Sequence, residues 1–325
     1  MRVFVTGASG HVGSAVVPEL LEAGHQVVGL ARSDKSAAGL AAAGAQVYRG
    51  DLDNFDGIAA AAAAADGAIH LAFKHDAMFA GDFEGAVAAD LRAVEALGGA
   101  LAGTGKPLVA TSGTALFAVA GLKGTLTEAN ALDAGPRIDA ENAVVALAER
   151  GIRSSVVRLT PTVHSTLDHN GFIPTFISIA RSKGVSVYVG DGANRWPAVH
   201  TLDAARLYRL ALESAPAGSR LHAVDDEGIT FRQIAEAIGR GLNLPVVSVP
   251  PTQADDHFGF LSAHAQADNP SSSTLTRDLL GWKPLRPGLI DDLAQGHYFD
   301  APATTTYATQ SSPGAGRGPV VSSTA

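Results

Sequence analysis

The sequence predicts an α/β fold: a doubly wound parallel sheet carrying a smaller lobe built from its later segments. Three observations carry that reading. Short β-branched runs alternate with helical stretches as far as Thr160, the pattern of successive βαβ units. A glycine-rich stretch, VFVTGASGHVG, joins the first strand to the first helix. After Thr160 the alternation becomes irregular, as expected where a chain leaves its sheet to build something else.

Strands are expected at 2–6, 25–31, 45–49, 67–72, 107–112 and 154–159, each a run rich in Val, Ile or Leu between turn residues. Helices fall between them, at 11–23, 35–43, 55–65, 82–103 and 137–150. Beyond Thr160, helices are expected near 171–183, 202–214, 230–240 and 287–295, and a strand at 219–223 returns to the sheet. The dinucleotide-type domain therefore covers 1–162 with a returning segment 196–224, and the lobe takes 163–195 and 225–300. Residues 301–325 are rich in Thr, Ser, Gly, Pro and Ala, bury too little apolar surface to offset ordering, and read as a disordered tail.

Composition narrows the function. A chain of 325 residues with 46% hydrophobic content can bury a large core, and its formal charge of −8 argues against a partner read through a phosphate backbone. No apolar run reaches membrane-spanning length, and the N-terminus lacks a signal-peptide core, so a cytoplasmic protein without a membrane partner is expected. With no cysteine there is neither disulfide nor thiolate chemistry, and the histidines at 164, 169 and 200 lack metal-ligand spacing, so no metal is expected.

Gly7, Gly10 and Gly13 follow a strand and open a helix in the spacing G-x-x-G-x-x-G. The first permits a tight turn, the second lets backbone approach a diphosphate, and the third lets helix pack on strand; the diphosphate then meets free amides at the helix N-terminus. Ser9, His11 and Val12 complete that loop. The second strand ends in Ala31 rather than a carboxylate, followed by Arg32 and Ser33, a cation and a hydroxyl suited to a 2′-phosphate. NADPH is therefore the expected cofactor, with NADH also accepted; Asp34, one residue on, is the argument for NADH, and a solvated charge is the plain alternative for Arg32. Asp51, with Leu52, follows the third strand where a carboxylate accepts from an adenine amino group, unless it simply caps the next helix. Leu71, Ala72, Phe73 and Lys74 end the fourth strand beside the nicotinamide ribose, and Thr160, Pro161 and Val163 leave the sixth facing the nicotinamide.

These motifs resemble the short-chain dehydrogenase/reductase superfamily in its extended branch, and NRWPAVHTLDAARLY at 194–208 and LLGWKP at 279–284 look like segments of the same branch. The resemblance implies a Rossmann fold, a nicotinamide cofactor and a catalytic Ser/Thr with a Tyr-x-x-x-Lys pair. Matching TSGTALFA at 111–118 to the family run places Gly113 at the catalytic serine, flanked by Ser112 and Thr114. Anchoring Glu141 on the family's Lys-x-x-x-Glu aligns Arg137 with the lysine and Asp133 with the tyrosine; a shifted frame gives Ile138 and Asn142; neither recovers the pair, and no tyrosine lies between Tyr48 and Tyr188.

The chain thus looks like an atypical subgroup that keeps the glycine motif without the catalytic pair. Within that subgroup the likeness implies a ketoreductase acting on a ring carbonyl of an aromatic polyketide, an angucyclinone, in antibiotic biosynthesis. Ser112, Thr114 and His164 are the candidate catalytic groups, and Arg195 with Trp196 the candidate clamp on an aromatic ligand. Without a tyrosine, the proton is expected from a substrate phenol or from water. Two other readings stand beside this one: a non-catalytic dinucleotide sensor, and a nucleotide-sugar epimerase or dehydratase.

Overall fold

A computed structural model describes residues 1–300, so the expected disorder of 301–325 lies outside the described residues. The strands, in chain order, are β1 (Arg2–Thr6), β2 (Gln26–Ala31), β3 (Gln46–Arg49), β4 (Gly67–His70), β5 (Pro107–Gly113), β6 (Arg153–Leu159), β7 (Thr162–His164), β8 (Ser186–Val189), β9 (Arg195–His200), β10 (Ser219–Ala223), β11 (Asp226–Thr230) and β12 (Val246–Val249). Seven of them form one sheet in the order β10-β6-β5-β4-β1-β2-β3, every neighbouring pair parallel.

Because parallel strands are covered on both faces, their sequences are apolar throughout: Val3, Phe4 and Val5 of β1 are fully buried. Alternation sends Val3 and Val5 into one core, with helices Gly13–Glu22 and Thr201–Ser214, and Phe4 into the other, with helices Phe55–Ala63, Phe83–Leu101 and Ile138–Ala146. The strand order reverses at β1, and the crevice beyond the carboxyl ends of β1 and β4 is where such sheets bind ligands. Register sets what meets there: Thr6 pairs with His70, and Ala31 with Arg49.

The later segments build a second core around Phe176, Trp196, Phe231 and Phe258, between helices Phe172–Lys183 and Phe231–Leu242. A three-stranded sheet β11-β9-β7 and a pair β12-β8 lie with it. This corrects the returning segment 196–224: only the helix Thr201–Ser214 and β10 rejoin the main sheet, whereas β9 pairs with β7 and β11. Two further expectations shift. The strand 67–72 stops at His70, because Leu71 to Lys74 turn across the crevice, and the helix 137–150 runs only over Ile138–Ala146, followed by a 3₁₀ turn. Arg137 itself is left-handed, φ 63°.

Candidate functional site

The glycine loop is compressed backbone that side chains would not fit. Gly7 has φ +68°, and a Cβ there would stand 2.7 Å from the Ala72 amide nitrogen. A Cβ on Gly13 would stand 2.2 Å from the Gly7 carbonyl oxygen, so helix and turn meet without a side chain between them. Ser9 and Gly10 are exposed at the rim, while Val12 precedes the helix Gly13–Glu22. A cradle of this shape, open at a helix N-terminus, fits the diphosphate of a dinucleotide.

At the adenosine end, Arg32 reaches Asp76, Nη2 to Oδ2, at 2.9 Å, and both are exposed. Ser33 caps the helix Asp34–Ala42 in a capping box with Ser36, the structural use of a hydroxyl at this place. Asp34, the residue that favoured NADH, is drawn to Arg49 instead, whose Nη1 also donates to the Ser33 carbonyl at 2.6 Å. Asp51 accepts from the Asp53 amide at 3.0 Å, Leu52 is buried, and the helix cap falls to Asn54. Lys74 pairs with the Asp53 carboxylate rather than standing free.

At the other end, Leu71 and Ala72 hang from Thr6, amide to carbonyl at 3.2 Å and amide to hydroxyl at 3.4 Å. Phe73 lies under the Arg137 guanidinium, 4.2 Å from ring centre to Cζ. That guanidinium donates from Nη2 to the Thr111 carbonyl at 3.3 Å and from Nε to Asp90 Oδ2 at 3.4 Å. Asp90 also meets His70 Nε2 at 3.2 Å, and His70 Nδ1 meets Thr6 Oγ1 at 2.7 Å. Burial alone would raise the Asp90 carboxyl, but His70 and Arg137 outweigh it and hold it below the usual range. A fixed ion pair results, its Arg137 end 18% exposed at the carboxyl ends of β4 and β5. Thr160 donates to the Thr162 carbonyl at 2.8 Å, and Pro161 and Val163 remain half-buried beyond it.

The three candidate catalytic groups occupy separate places and share no hydrogen-bond partner. Ser112 is buried on β5 beside Glu141. Thr114 is buried too, its hydroxyl accepting from Asn269 Nδ2 at 3.0 Å. His164 is wholly buried in the lobe, its Nδ1 2.8 Å from Asp292. The two members of the Arg195–Trp196 clamp part company: the ring is buried, whereas the Arg195 side chain remains 42% exposed. Trp196 is 2% exposed, packed edge-on against Phe172, Phe176 and Phe231, and Arg195 is held by Asp268 through three hydrogen bonds.

Other features were not legible in the motifs. Arg158, fully buried under Phe117, binds Glu141 together with Arg220; burial would raise the Glu141 carboxyl, and Arg158 more than offsets it. Among the described tyrosines, Tyr48 packs on Phe4, Tyr188 lies under Arg232, Tyr208 is bound to Thr111, and Tyr298 to Asp168. Both Tyr208 and Tyr298 are buried, and burial pushes their hydroxyls well above the usual phenol value. The side chain of His11 leaves the glycine loop for the lobe, meeting Thr201 Oγ1 at 3.0 Å and Asp168 Oδ1 at 3.9 Å.

Sheet order, glycine cradle and crevice together define a Rossmann-type dinucleotide-binding protein of the extended kind. The chain belongs to the NAD dependent epimerase/dehydratase family, whose profile matches residues 3–224. It is 48% identical over 299 residues to an uncharacterized protein of Schizosaccharomyces pombe, covering 92% of this chain and all of that one. An uncharacterized protein of Saccharomyces cerevisiae is 41% identical over 298 residues, covering 90% and 98%. Among solved structures, gox2253 superposes with a TM-score of 0.74 at 22% identity, covering 92% of this chain and 97% of that one. The dTDP-glucose 4,6-dehydratase DesIV of Streptomyces venezuelae, with NAD bound, gives 0.73 at 20%, covering 92% and 96%. These structures share the fold. No helix among the described residues is long and apolar enough to cross a membrane.

Proposed function

We propose that the chain is a reductase that uses a nicotinamide dinucleotide, NADPH preferred over NADH, to reduce a carbonyl compound without a catalytic tyrosine. The observation that carries the reading is the Arg137–Asp90 pair: a guanidinium fixed on Phe73, opening at the crevice where the family lysine would stand. Bound reduced nicotinamide supplies the hydride. The chain's own residues do the rest. The glycine loop holds the diphosphate, Leu71 to Phe73 wall the crevice, and Arg137 faces the oxygen on which negative charge grows. Arginine is too weak an acid to give up a proton, so it stabilises the alkoxide, and a water or an acidic hydroxyl of the substrate protonates it.

An aromatic polyketide with a phenol beside its carbonyl would supply such a hydroxyl, and that is all that favours this substrate; Trp196, in the core, has no face left to stack an angucyclinone. The epimerase or dehydratase reading takes support from the family and from the NAD-bound dehydratase, yet it too needs a base where Asp133 stands exposed. That same exposed Asp133 favours the sensor. Following reduced-nicotinamide absorbance with NADPH and a panel of aldehydes, aliphatic ketones and hydroxylated aromatic ketones separates them. Carbonyl-dependent oxidation of NADPH is expected; tight NADPH binding with no turnover on any of them would favour the sensor.

A further inference from the structure

We propose that His75 is the proton shuttle of the reduction, passing a proton from bulk solvent through a water to the oxygen on which Arg137 gathers negative charge. The inference rests on the reductase reading above and names the side chain that supplies the water's proton.

Phe73 carries the geometry. The Arg137 guanidinium lies over its ring, Cζ 4.2 Å from the centroid, and the His75 imidazole meets the same ring edge-on, the centroids 5.1 Å apart. One phenyl of the crevice wall thus holds a permanent cation and a titratable ring within electrostatic reach of each other, and Arg137 is the strongest charge acting on the imidazole. His75 opens the short helix His75–Phe79, its amide bonded to the Phe73 carbonyl at 2.9 Å, which fixes it at the end of that wall. It is also exposed to solvent. A ring bordering both bulk water and the charged end of a crevice stands where a shuttle must stand.

The groups around it hold fixed charges. Arg137 keeps its proton and Asp90 is held as an ion, so neither changes charge near neutrality. Lys74 pairs with Asp53, and His70 is buried between Thr6 and Asp90. Partial loss of water, then the Arg137 charge, lowers the His75 imidazole below its ordinary value, against the Phe73 carbonyl, Asp76 and Asp90. Its imidazolium is therefore a stronger acid than that of a free histidine. With the hydride on the carbonyl carbon, the C=O π pair rests on oxygen, and that oxygen takes a proton from the water. The imidazolium N–H replaces the proton the water has given, and the neutral imidazole regains one from solvent.

Reduction of a carbonyl that the unaltered chain turns over, followed from roughly pH 5 to 8, tests this. The imidazolium is the donor, so kcat of the unaltered chain should fall as pH rises through the His75 value. His75→Gln should lose that fall and lower kcat about a hundredfold, with KM and NADPH binding within about twofold. Free imidazole should restore turnover to His75→Ala and saturate, a rescue that a merely structural role would not show. In a histidine NMR titration without cofactor, Arg137→Gln should raise the pH at which His75 titrates. If His75→Gln keeps its kcat and pH profile, if imidazole restores nothing, or if His75 titrates unchanged in Arg137→Gln, the shuttle is wrong while the reductase reading stands. Loss of NADPH binding in His75→Gln would overturn it in favour of a structural role. If the unaltered chain turns over no carbonyl, the reductase reading fails and the shuttle with it.

Discussion

His11 of the glycine loop and Asp168 of the smaller lobe face each other across 3.9 Å, the first half-buried and the second buried, and burial disfavours the charged form of each. Desolvation, assisted by His169 and His164, lowers the imidazole to about 4. Desolvation raises the carboxyl to about 7, against the hydrogen bonds from Gly171 and Tyr298. The two groups therefore pull stability in opposite directions. Between pH 4 and 6.5 the unfolded chain holds a proton on His11 that the folded chain lacks, so this residue makes stability rise with pH. Between pH 4 and 7 the folded chain holds a proton on Asp168 that the unfolded chain lacks, so this one makes stability fall, the loss being complete above pH 7. Denaturation of Asp168→Asn across this window should show stability gaining on the unaltered chain by up to about 1.4 kcal/mol per pH unit, and His11→Phe should show the reverse slope. Parallel curves for all three proteins would refute the assignment.

Gly13→Ala should abolish cofactor binding. Its Cβ would meet the Gly7 carbonyl at 2.2 Å, a contact between two backbone segments in which no flexible side chain gives way. Gly39→Ala, with open space around it and a helical backbone, is the control; it should bind NADPH normally and be slightly more stable, by roughly 0.5–1 kcal/mol. Nucleotide-dependent quenching of protein fluorescence reads the first effect and chemical denaturation the second.

Trp196→Ala should destabilise the chain by about 3–5 kcal/mol, since it empties a core site ringed by Phe172, Phe176 and Phe231. Where the folded protein persists, its KM for a carbonyl substrate should stay within about twofold of the unaltered value, as expected of a residue without a ligand-facing surface. A large KM change with little loss of stability would restore the ring to the substrate site.

Arg137→Gln should lower kcat about a hundredfold or more with little change in KM, the pattern for a charge that acts mainly on the transition state. Arg137→Lys should recover part of it, because charge is kept and the grip of Asp90 is not. Equal loss in KM alone would make the guanidinium a binding group only.

The sheet was readable because β-branched runs and glycine spacing are local signals, and each main strand fell within two residues of its expected place at either end. Trp196 shows where that stops. An arginine and an indole in sequence look the same whether the ring meets a ligand or a core, and only the three phenylalanines brought from residues 172, 176 and 231 decide. Arg137 has the same character. Helical spacing placed it at the start of a helix, whereas its left-handed backbone, which costs a non-glycine residue on the order of 1–2 kcal/mol, follows from Phe73 and Asp90 holding the guanidinium from elsewhere in the chain.

The edge strand β10 arrives from residues 219–223, after the chain has already passed through β7, β8 and β9, and Trp282 lies fully buried against the same face of the sheet as Val3 and Val5. The first half of the protein is thus finished by its last quarter. During synthesis, a nascent chain ending before β10 exposes the flank of β6, and one ending before Trp282 leaves an apolar part of that core open, and the bare flank invites strand addition from other chains. A ribosome that stalls or a message that is cut short should therefore yield aggregation and degradation rather than a free nucleotide-binding half.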